Sequence, residues 1–258
     1  MITDHDVVQY FRQPPRRIPI HVTDVKLHGN DSQIFRGIQW SLWKDVHPYG
    51  CSRHFEIFNK HKVIPRYCFD CYKVLIAPRT VLELFKLLMI FEKIVLPIDN
   101  TRKCMVEERD FCSGTYKGYV YCRGIEEANE ILKIVRMAVT EDISPQVSVA
   151  IKHGCSEYEV TYPEFSQIEQ GRAMQYNEDW QRHEEEVDND IALNGMDNVD
   201  IPSVTAIQLK YTPKEILAMQ HWTRYAATIG DMSYIKIIGT TMLRIPNLNR
   251  PPFKNTVI

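Results

Sequence analysis

Cys51, His54, His61, Cys68 and Cys71 put five side chains able to ligate a metal within 21 residues. They read Cys51-Ser-Arg-His54, then His61, then Cys68-Phe-Asp-Cys71. Two donors separated by two residues can grip one ion from a single tight turn, so Cys51, His54, Cys68 and Cys71 form a candidate tetrahedral set. His61 is a substitute ligand or a group behind the ligands. Zinc is the expected metal, because thiolate and imidazole together suit a borderline-soft ion with no redox demand. An iron–sulfur centre asks for four thiolates, and this stretch holds three. The competing reading is structural: Cys68 and Cys71 open a buried strand and the histidines lie at the surface. Residues three apart on an extended strand point to opposite faces, so only a turn would make the two thiols converge.

Two short motifs resemble known families. His54-Phe-Glu56, Pro65 and Cys68-x-x-Cys71 resemble the zinc deaminase pattern, in which a glutamate moves protons while histidine and cysteines hold zinc. Two features depart from it: Pro65 is not adjacent to Cys68, and the gap after Glu56 is short for the intervening elements. Tyr116-Lys117-Gly118-Tyr119-Val120-Tyr121 resembles the third strand of RNA-recognition motifs, whose alternating aromatics stack on bases. That resemblance makes Lys117, Tyr119 and Tyr121 candidate nucleic-acid contacts, with ordinary sheet packing as the alternative. His153-Gly154-Cys155 does not make a nucleophilic pair, since near neighbours in a chain seldom face each other; Cys155 is read as structural or as an extra ligand. No G-x-G-x-x-G, Walker A, G-x-S-x-G or H-E-x-x-H sequence occurs, and no catalytic residue is assigned.

The elements that would carry these residues sharpen from Tyr67 onward. Tyr72 to Ile76 is a short β-favouring run closed by Pro78. Thr80 can cap a helix with Leu82, Phe85, Leu88 and Met89 at helical spacing. Lys103 to Glu108 and Tyr116 to Cys122 are strands about a turn at Ser113-Gly114. Gly124 precedes a helix carrying Ala128, Ile131, Leu132, Val135 and Ala138, and Gln146 to Lys152 alternates as a fourth strand. The order strand, helix, strand, strand, helix, strand predicts an α+β fold with a central ferredoxin-like (split βαβ) domain at 67–155. Residues 1–66 are expected to be an irregular amino-terminal segment holding part of the metal site, with a short amphipathic start from Asp4 to Phe11. Turns are expected at His28-Gly29-Asn30 and Arg36-Gly37.

Residues 156–258 are expected to be a mainly helical extension. In it, Phe165 to Val187 reads as one polar helix. Thr212, Pro213 and Glu215 start another helix, ending at Gly230. Tyr234 to Ile238 reads as a strand, and the tail from Pro246 as an extended arm.

With 44% hydrophobic and 25% charged residues the chain is ordinary for a globular protein, so disorder is not expected to dominate. The start lacks the basic and apolar runs of a secretory signal, and Val81 to Leu96 carries Glu83, Lys86, Glu92 and Lys93, too charged to span a bilayer. A cytoplasmic location, no membrane partner and reduced cysteines are therefore expected. The net charge of −2 conceals an acidic stretch at 157–200, with 13 acidic and two basic side chains, read as a solvated face or a partner-binding segment. Together these readings favour a zinc-stabilised recognition protein for a protein or single-stranded RNA partner. The alternative is a metal-dependent enzyme acting on a small or nucleotide-like substrate.

Overall fold

Alternation of apolar and polar residues builds one sheet with two unlike faces. A computed structural model describes residues 1–12, 39–42, 51–98, 100–169, 173–194 and 213–238. Strands β1 (Gln39–Leu42), β2 (Cys71–Ala77), β3 (Arg102–Val106), β4 (Tyr116–Arg123) and β5 (Ser148–His153) form an antiparallel sheet in the order β1-β3-β4-β2-β5. Helix α3 (Val81–Lys93) connects β2 to β3, and α4 (Ile125–Asp142) connects β4 to β5. The expected succession of four strands and two helices is therefore present. The register pairs Val74 with Val120 and Ile151, which sets an apolar row across three strands.

Thr80 caps α3 as its position predicts, its hydroxyl accepting from the Glu83 amide at 3.2 Å. The helix is buried more completely than one apolar stripe implies: Leu84, Leu87, Ile90 and Phe91 join Leu82, Phe85, Leu88 and Met89. The reason is its central position. One side lies on β3 and β4, while α1 (Asp4–Arg12), α7 (Pro213–Thr228) and α8 (Tyr234–Ile238) cover the rest. Gly118 makes the close approach of α3 to β4 feasible, since an added Cβ would lie 2.3 Å from Leu87 Cδ2. Cys104 and Cys122 sit in this apolar layer as small hydrophobes.

Three local expectations differ. The segment expected to be irregular contains α2 (Cys51–His61) as well as α1, because Cys51, His54, Phe55 and Phe58 repeat at helical spacing. Phe165 to Val187 is not one helix: 3-10 turns at Pro163–Ser166 and Glu178–Trp180 precede α6 (Gln181–Asn194). Tyr234 to Ile238 is helical, with no neighbouring strand to pair with among the described residues. The expected turns near residues 28–30 and 36–37, the Thr212 cap and the tail from Pro246 lie outside the described residues. No helix among the described residues is long and apolar enough to cross a membrane.

The acidic stretch has an internal use as well. Arg53 donates from Nε to Asp188 at 2.5 Å and from both terminal nitrogens to Glu184 at 3.1 Å, while Lys60 contacts Glu186 and Asp190. The polar face of α6 thereby holds α2, which neither a solvated face nor a docking segment requires.

Candidate metal centre

Helix α2 carries two adjoining stripes. One stripe, Cys51, His54, Phe55 and Phe58, faces the carboxy-terminal end of β5, and the other, Arg53, Ile57, Lys60 and His61, faces α6. After α2 the chain forms a 3-10 turn over Arg66–Asp70 and enters β2 at Cys71, whose amide donates back to the Cys68 carbonyl. A 3-10 turn has three residues per turn, so its positions i and i+3 eclipse, and Cys68 and Cys71 come to the same side. This resolves the difficulty that an extended strand would pose for the pair.

Cys155 reaches the same place from the far strand. Gly154 turns the chain at φ +55° directly after β5, its amide donating to the Cys71 carbonyl at 2.8 Å. An added Cβ there would meet Phe165 Cε1 at 2.1 Å, so space and backbone both demand glycine. His153 braces the corner: its ring nitrogens face the carbonyls of Phe165 at 2.6 Å and Phe69 at 2.9 Å, and its ring stacks on Tyr72.

Cys51, Cys68, Cys71 and Cys155 consequently line one small cavity with His54, Phe55, Tyr67 and Tyr158. Cys51 is exposed as a residue, Cys71 and Cys155 are half-buried and Cys68 is buried. His54 is 5% exposed and stacks on Tyr67, with ring centroids 5.7 Å apart. Burial pushes the Cys68 thiol well up despite a hydrogen bond with Tyr158 (3.4 Å), pushes Cys71 up to about 12, and raises Cys51. As thiols these groups are poor nucleophiles.

Cations surround the sulfurs. Lys73 is 6% exposed, and its Nζ lies 2.8 Å from the Gly154 carbonyl, 3.0 Å from Cys155 Sγ and 5.4 Å from the Tyr121 ring centre. No carboxylate lies within ion-pair distance of Lys73 among the described residues. Burial, with Lys73 and Arg109 nearby, lowers Lys103 to about 8. Glu107 and Glu157 are engaged by Arg109.

His61 stands apart from the thiols, at the other end of α2. There its Nε2 lies 3.6 Å from Glu186 and its ring 4.5 Å from that of His183. Among the described residues, His61, His183 and Glu186 form the group of three donors lying within 4.8 Å of one another. The four sulfurs line a shared cavity but would have to rotate inward to bind one ion. Glu56 is exposed and does not line that cavity, so the deaminase-like role has no geometric support.

The candidate nucleic-acid residues lie on the same sheet face as Lys73, as their alternation predicts. Tyr119 is 5% exposed and Lys117 6%, while Tyr121 is half-buried with its ring 6.5 Å from that of Tyr119. Tyr119 presents no free face to a base in this arrangement. The residue that sequence reasoning left at the margin is Cys155. Its signal was His153-Gly154-Cys155, a glycine-broken strand end beside a cysteine, and its value depended on the pairing of β5 with β2.

No protein-family profile, curated protein or solved structure matches this chain.

Proposed function

We propose that Cys51, Cys68, Cys71 and Cys155 hold one zinc ion, and that the protein is a zinc-stapled recognition protein for a protein partner, built on a ferredoxin-like framework. The observation that carries this reading is the meeting of four thiols, from α2, the 3-10 turn, β2 and the loop after β5, in one cavity beside a buried ammonium. Lys73 has the sulfurs of Cys155 and Cys71 rather than a carboxylate as its nearest stabilising ionisable groups among the described residues, and a buried charge is costly unless paired. Four thiolates on Zn²⁺ carry net charge −2, which Lys73 and Lys103 would balance. Metal binding also deprotonates thiols outright, reversing the effect of burial.

Four protein ligands leave no open coordination position, which is the mark of structural rather than catalytic zinc. His54 then packs against the centre, and ligates only if Cys51 withdraws. The framework inference rests on strand order. Setting β1 aside, β2 lies between β5 and β4 with β3 beyond, all antiparallel, as two interleaved βαβ units require. Burial of Tyr119 and Lys117 favours a protein partner over RNA.

The test is elemental analysis of the purified full-length chain, combined with thiol counting before and after chelation. One thiolate-bound zinc per chain is expected, with four thiols protected until the metal is removed and that protection lost in Cys71→Ser. A metal-free protein with all surface-accessible thiols reactive would overturn the reading. A coloured protein holding iron and sulfide would replace zinc by an iron–sulfur cluster on the same four thiolates. Binding of single-stranded RNA at low salt that depends on Tyr121 would move the partner from protein to RNA.

A further inference from the structure

The seam between α2 and α6 holds a second group of donors, unlike the first in chemistry and exposure. His183 and Glu186 are three residues apart on α6, so they share a face, and His61 meets them from the last turn of α2. All three donor atoms lie within 4.8 Å of one another. The His61 Nε2 is buried and has no hydrogen-bond partner, with the Glu186 carboxylate 3.6 Å away. Two donors on a tetrahedral ion with bonds of about 2.0–2.1 Å stand roughly 3.3 Å apart, so little movement is needed. Glu186 is 51% exposed, and its other oxygen accepts from Lys60 at 2.8 Å.

We propose that His61, His183 and Glu186 bind a second metal ion, a divalent first-row transition ion, at the α2–α6 seam, through two imidazoles and one carboxylate with positions left open to solvent. The donor set excludes soft thiophilic ions and suits zinc, iron(II) or cobalt(II). Three protein ligands with an open side are what a catalytic ion needs, in contrast with four closed thiolates. The two ends of one helix would then serve different ions, and the proposal does not depend on the thiol centre being occupied. Lys60 competes with the ion for Glu186, so its removal should tighten binding.

The probe is Co²⁺, titrated into full-length protein already equilibrated with one equivalent of zinc. One further equivalent should bind with visible d–d bands and without the thiolate-to-metal charge-transfer band that a cysteine site gives. His183→Ala and Glu186→Gln should each weaken that binding by at least about 10–100-fold, the loss usual even for groups behind the ligands. Glu186 is exposed and His183 half-buried at the rim of the seam, so circular dichroism should stay unchanged, and Lys60→Ala should bind at least as tightly as the parent. Uptake that persists undiminished in His183→Ala, a spectrum dominated by thiolate charge transfer, or no uptake beyond the zinc equivalent would each overturn the site.

Discussion

The two faces of the sheet use the same residue type for opposite ends. On the face toward α3 and α4, Cys104 and Cys122 are fully enclosed among aliphatic and aromatic side chains and behave as small hydrophobes. On the other face, Cys71 and Cys155 stand beside Lys73, with Cys51 and Cys68 arriving from outside the sheet. Burial raises Cys104 and Cys122 on one face and Cys68 and Cys71 on the other. What separates them is convergence: the core cysteines are set in the apolar layer, Cys122 donating to the Val120 carbonyl, whereas the others have one another and a buried cation. A cysteine's role is thus set by what the fold puts next to its sulfur, not by how deeply it lies.

The strongest way to break this comparison is to remove one thiol from each face. Cys71→Ser should abolish zinc binding and loosen α2 and the Arg66–Asp70 turn, because binding free energies of about 10–16 kcal/mol for structural zinc contribute directly to folding. Cys104→Ser should cost only about 1–3 kcal/mol for an imperfectly paired buried hydroxyl and leave the metal content at one. Metal analysis alongside thermal melts reads both, and equal zinc loss in the two variants would erase the distinction.

Truncation of the apolar layer should act globally. Phe91 is fully buried against the sheet, and Phe91→Ala should cost about 3–5 kcal/mol in denaturant unfolding with the thiol centre still able to load. A smaller cost would show that the layer can collapse around the missing ring.

Glu184 tests the support of the thiol side. It is 8% exposed, and its carboxylate accepts from Arg53, the Arg66 amide (2.7 Å) and the Tyr176 hydroxyl (2.9 Å). It therefore ties α6 to both segments that carry Cys51 and Cys68. Glu184→Ala should destabilise by about 2–3 kcal/mol, since charge-assisted bonds are lost and Arg53 loses part of its pairing. Hydrogen exchange should quicken first in α2, and uniform quickening would place the loss in the whole fold instead.

The smallest expected effect lies on the apolar side and depends on pH. Burial pushes the Asp231 carboxyl up, but the Val81 amide (2.6 Å), Ser233 and Tyr116 outweigh it and leave it below the ordinary aspartate value. A lowered folded value means stability present above the unfolded pKa of about 3.9 and lost as pH falls through the folded one. Asp231→Asn should cost about 1–2 kcal/mol at neutral pH, after allowance for partial exposure, and little at pH 2. Melts at both pH values check the sign; an equal cost at each would assign the effect to packing.

Sequence alone determined the units with a short-range cause. The Thr80 cap, the β-favouring runs of β2 and β4, the Gly124 start of α4 and the end of α7 before Gly230 each follow from neighbours a few residues away, and each is present. Cys68 and Cys71 were legible as a pair, although only the 3-10 turn explains their convergence. Helix α2 was not legible as a helix beside so many polar residues, because its stability comes from two partners distant in sequence, the thiol cavity and α6. The short Tyr234–Ile238 run likewise fits strand or helix locally, and its packing against α1, α3 and α7 decided it. The same holds for the sites: Cys155 joins Cys71 because β5 pairs with β2, and His61 parts from His54 because α2 turns its successive faces to different neighbours. Spacing fixes which donors share a turn. Which turns share a cavity is settled by strand order and helix docking, interactions between residues as far as 135 positions apart, for which a linear pattern carries no period to read.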